Sequence, residues 1–84
     1  MKLSRGTLLT VYGRYLDHGR VGGPIRPEYI EYDPPIVVEI YATEKALIKT
    51  ALGKQVRSTV IRCKNTMTGE YLTLIRATDN FEFV

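Results

Sequence analysis

A period-two alternation of apolar and polar residues recurs along this chain and constrains its fold more than any other feature. In Ile36-Val37-Val38-Glu39-Ile40-Tyr41-Ala42, positions 36, 38 and 40 line one face, while Glu39 and Tyr41 line the other. The same rhythm runs through 56–63 and 71–76, around the polar turn Asn65-Thr66-Met67-Thr68-Gly69, and reads as a long hairpin. Thr7–Tyr12 makes a further strand ending at Gly13, with Leu9 and Val11 on one face. Thr78-Asp79-Asn80 turns the chain into a last strand in which Phe81 and Phe83 point inward and Glu82 outward.

Two stretches depart from this rhythm. Residues 14–35 hold Gly19, Gly22, Gly23, Pro24, Pro27, Pro34 and Pro35, too many punctuators for a helix or a central strand. A long irregular loop is expected there, and the double proline is expected to mark the start of the strand after it. Residues 43–53 predict one short helix, with Thr43 as N-cap, Glu44 at the positive end of the dipole and Gly53 at the C-terminal cap. On that helix Leu47, Ile48 and Ala51 would face the core, and Lys45 and Lys49 would share the solvent face.

The resulting order is strand, long loop, strand, helix, hairpin, tight turn, strand. That order resembles an SH3-like small barrel, which also carries a long loop after its first strand and a single turn before its fifth. The resemblance lies in element order only. It implies a mainly β fold, a small antiparallel barrel of about five strands with one short helix. The acidic-aromatic signature of peptide-binding SH3 domains is missing from 14–35. The alternative is an α+β fold, an open antiparallel sheet with one packed helix. Either houses 1–84 as one compact domain, since 84 residues leave no room for a second core.

A single cysteine, Cys63, rules out an intramolecular disulfide, and no signal-like or membrane-spanning apolar run occurs. The expectation is a soluble cytoplasmic protein with no membrane association. Homo-oligomerisation is possible but not predicted. One His and one Cys fall short of a zinc ligand set, and the glycines at 22–23 open no phosphate-binding helix. Neither a metal nor another cofactor is expected, and no catalytic residue is assigned.

Charge is distributed unevenly. Residues 43–64 hold six cations against Glu44 alone, whereas 14–42 hold three arginines against five acids. Lys45, Lys49, Lys54, Arg62 and Lys64 are the candidate nucleic-acid-binding set, and Arg57 is expected to point the opposite way from Arg62 and Lys64. Arg14, Tyr15, Arg20, Arg26, Tyr29 and Tyr32 form a candidate partner-binding loop, because Tyr and Arg bury large areas with few rotors and still hydrogen-bond. Glu28, Glu31 and Asp33 among them would repel a phosphate backbone.

The main reading is a non-enzymatic binding module that takes nucleic acid, or an acidic protein surface, on residues 45–64 with help from the 14–35 loop. The alternative is a protein-binding accessory or inhibitor that uses that loop as its interface. A weaker third reading is a small nuclease centred on His18, which lacks a second proton-transfer group.

Overall fold

The computed structural model describes residues 2–15, 29–49 and 54–84, and these build one five-stranded antiparallel sheet. The strands are β1 (Leu8–Tyr15), β2 (Tyr29–Lys49), β3 (Gln55–Asn65), β4 (Tyr71–Ile75) and β5 (Asn80–Phe83), in the spatial order β4-β3-β2-β1-β5.

Two expectations are corrected. The sheet is open rather than closed into a barrel, and no helix occurs among the described residues. Thr43–Lys49, expected as helix, continues β2 and pairs with β3 from Thr43↔Ile61 to Lys49↔Gln55. Short apolar clusters fit both periods, and a helix of about ten residues is marginal alone. The extended form gains a ladder with β3 and sends Ala46 and Ile48 to one face, so cross-strand pairing overrides the capping residues. Leu47, which the helical spacing turned inward, is exposed.

The failure to close has a local cause. Residues 76–79 join β4 to β5, which lie at opposite ends of the sheet order. Four flat strand spacings amount to about 19 Å, and a tightly folded link cannot span that distance. The sheet therefore curls, bringing Leu9 and Val11 of β1 into one cluster with Leu72 and Leu74 of β4. It stops short of closure because the link folds back onto β4. Thr78 and Asp79 donate their N–H groups to the Ile75 carbonyl at 3.2 and 2.9 Å. The Asp79 carboxylate accepts from the Ile75 N–H at 2.7 Å. The outward groups of Ile75 are thus taken by the turn and not by β5.

β2 must bend as well. Its 21 residues would reach about 70 Å if straight, twice the molecule's longest extent of 33 Å. One irregularity covers Tyr32–Pro35, where β1 offers no partner between Val11↔Ile36 and Gly13↔Glu31. The prolines, including the cis Asp33–Pro34 bond, do not mark the start of this strand as expected; they sit instead inside β2, which begins at Tyr29, at a gap where no ladder donor is needed. The second is a bulge at Tyr41, between Ile40↔Cys63 and Ala42↔Arg62.

The concave face carries the main core: Leu9, Val11, Val38, Ile40, Ile61, Cys63, Leu72 and Leu74, with Phe81 and Phe83 packed against it. The opposite face carries a smaller cluster of Ile48, Val60 and Ile75. β3 is consequently buried on both sides from Ser58 to Ile61.

Candidate functional site

The strands reach into the 14–35 segment from both ends. Arg14 and Tyr15 finish β1 opposite Ile30 and Tyr29, so the first pair of this candidate site is set by hairpin register. The Tyr15 and Tyr29 rings meet with centroids 4.8 Å apart at 57°. Tyr29 lies over Gly13. A Cβ there would fall inside the Tyr29 hydroxyl, 2.6 Å from Cζ and 3.0 Å from the Ile30 carbonyl oxygen. Glycine is required at 13 because the ring occupies the space that a side chain would fill.

Arg14 Nε donates to the Tyr32 hydroxyl at 2.9 Å, and Tyr32 packs against the main core. Tyr32 is therefore partly structural, whereas Tyr29 keeps 39% of its surface exposed. Burial, then Glu31, Tyr15 and Asp79, hold the Tyr29 hydroxyl above its ordinary pKa, so it remains a donor at neutral pH. The structure sets Tyr15 against Tyr29 on one face of these paired strands and Arg14 against Tyr32 on the other, the face of the main core. Arg20, Arg26 and His18 lie outside the described residues.

The basic set is arranged differently. Residues directly opposite on paired strands share a face. Lys45 stands opposite Thr59, on the face of Ile61, while Arg62 and Lys64 alternate with the core residues Ile61 and Cys63 and point the other way. Arg57 points with Lys45, away from Arg62 and Lys64. Arg62 Nη2 is ion-paired to Glu44 Oε1 at 2.9 Å. Lys64 faces Glu39 across the ladder, and its Nζ lies 5.7 Å from the Tyr71 ring centroid. Lys54 is exposed before β3, and the backbone of Lys49 ends β2 in register with Gln55. The sheet therefore puts Lys45 on one face and Arg62 and Lys64 on the other.

One surface was not read from the sequence. Tyr41 and Tyr71 pack edge to face at 5.4 Å and, with Glu39 and Lys64, line an open depression of about 440 Å³. Tyr71 stands opposite Lys64, so its position follows from the hairpin register. The place of Tyr41 follows from the bulge, which no local signal announces.

Cys63 points into the core, away from Arg62 and Lys64, and donates to the Ile61 carbonyl at 3.6 Å. Burial pushes its thiol up to about 12, against a smaller lowering effect of Arg14. Among the described residues no three His, Cys, Asp or Glu side chains gather closely enough to hold a metal ion, and no helix is long and apolar enough to cross a membrane. In comparisons with known proteins, no family model, curated protein or solved structure matches this chain.

Proposed function

We propose that this chain is a non-enzymatic protein-binding module whose contact surface centres on the Tyr15 and Tyr29 pair at the far end of the β1–β2 hairpin, with Arg14 and Tyr32 on the face behind it. The observation that carries the reading is the fixed, half-exposed Tyr29 ring, seated on Gly13 and against Tyr15. A ring held before binding loses little rotamer entropy on contact, which is the economy of an interface anchor. Arg14, bonded to Tyr32 on the opposite face, holds the two strand ends in place behind that ring.

Nucleic acid is the rival occupant. It would have to gather cations that stand on two faces of the sheet, one of them already neutralised by Glu44. Phosphate contacts add up only where one backbone can reach them together.

Affinity capture from the native host separates the two, with bound protein and bound nucleic acid scored apart. Tyr29→Ala is expected to abolish capture of a protein partner, while a Lys45→Glu, Lys54→Glu, Lys64→Glu triple variant retains it. Bound nucleic acid that the triple variant loses, and that falls steeply with salt, would overturn the proposal.

A further inference from the structure

The open edge of β5 adjoins a groove of about 340 Å³ lined by Leu3, Arg76, Asp79, Phe81, Glu82 and Phe83. Val84 donates its N–H to the Leu8 carbonyl at 3.3 Å, and Glu82 stands opposite Thr10. Alternation along an antiparallel ladder then turns the N–H and C=O of Glu82 toward β1 and those of Phe81 and Phe83 outward. Among the described residues nothing pairs with that edge, since β5 has β1 as its sole neighbour in the sheet. Asn80-Phe81-Glu82-Phe83 carries no lysine or proline, and its edge is limited by its four-residue length, by Glu82 and by the irregularity in its pairing between Val11 and Gly13.

We infer that this edge takes an extended segment of a partner protein as a sixth, antiparallel strand, with the local pattern apolar, basic, apolar. The side chains of the groove specify that pattern. Phe81, Phe83 and Leu3 pack toward the main core, so the two incoming side chains beside them are apolar. Glu82 is exposed on the other face, where the Tyr12 hydroxyl donates to its carboxylate and orients it. An incoming lysine or arginine directly opposite Glu82 is favoured there.

A second copy of this chain is the poorer occupant. The β5-to-β5 register that satisfies Phe81 and Phe83 in both copies places Glu82 directly against its own equivalent, and like charges so placed repel. This surface is separate from the Tyr29 cluster and stands independently of the function proposed above.

The test is fluorescence anisotropy with the fluorescein-labelled peptide acetyl-Thr-Val-Lys-Val-Thr-Thr-amide. Saturable binding is expected. It should weaken at least ten-fold when the peptide lysine becomes glutamate, and at least ten-fold when the amides facing β5 are N-methylated. Glu82→Lys should reverse the preference in favour of the glutamate peptide. On the unaltered protein, hydrogen exchange at the Phe81 and Phe83 amides should slow at least ten-fold with the lysine peptide, a readout that needs no variant to fold. Tyr29→Ala should bind the peptide as the unaltered protein does, so failure here and failure of the first surface are told apart. No saturation at millimolar protein, equal binding of both peptides, or unchanged exchange at Phe81 and Phe83 would each overturn the inference.

Discussion

Asp79 and Tyr15 are 64 residues apart in sequence, and the Asp79 Oδ1 accepts the Tyr15 backbone N–H at 2.9 Å. The other oxygen of the same carboxylate accepts from the Ile75 N–H. One side chain thus ties the end of β1 to the end of β4, two strands that do not pair. The tie holds the sheet curled over its core and fixes Tyr15, the ring against which Tyr29 rests.

Asp79→Ala should therefore do more than lose a turn residue. It removes two hydrogen bonds from backbone donors to a carboxylate, a cost of about 2–4 kcal/mol. Urea unfolding should show the loss, and Asp79→Asn should recover part of it. An Asp79→Ala midpoint equal to that of the unaltered protein would mean that the tie contributes nothing.

Gly13 and Tyr29 should be coupled. Gly13→Ala forces the Tyr29 ring from its seat and should cost about 1–3 kcal/mol, as overpacking does. In a Tyr29→Ala background the same change should cost less than about 1 kcal/mol, leaving only the approach to the Ile30 carbonyl. A double-mutant cycle on denaturant stability measures the difference, and additive costs would show that the ring is not fixed there.

Leu47 and Ile48 distinguish the extended from the helical form of 43–49. Ile48 packs with Val60 and Ile75, so Ile48→Ala should cost about 2–4 kcal/mol. Leu47 is 63% exposed, so Leu47→Ala should change stability by about 0.5 kcal/mol or less. Similar large costs at both positions would restore the helix.

Cys63 should make the protein sensitive to alkali. Its folded pKa is pushed up to about 12 from an ordinary 9.0, so the unfolded chain releases the proton first. The contribution is complete below pH 9.0 and is lost as pH rises toward 12, at no more than about 1.4 kcal/mol per pH unit. Because tyrosines and lysines titrate in the same window, the comparison is between the unaltered protein and Cys63→Ala. The variant should show the shallower decline, and parallel declines would contradict a buried thiol.

The β character of this chain was legible because alternation is a local property. Leu9 with Val11, Ile36 with Val38 and Ile40, and Phe81 with Phe83 share faces in the sheet as their spacing requires. The turn at 65–69 was equally plain, with Asn65 accepting from Met67 and Thr68 and Gly69 at a positive φ of 77°. Part of the candidate site could be named the same way, since Tyr and Arg near a hairpin end are visible as residue types.

Residues 43–49 were misread because their capping signals are local while their β3 partner is not. An open edge was equally invisible, because it depends on where Asp79 sends its two oxygens. The cations of 45–64 form a run in sequence, yet the pleat sends Lys45 to one face and Arg62 and Lys64 to the other. Sequence alone determined which residues favour extended backbone and which favour turns, since those preferences reside in single side chains and their near neighbours. Tertiary structure decided pairing, curvature and which charges share a surface, because each depends on contacts between residues far apart along the chain.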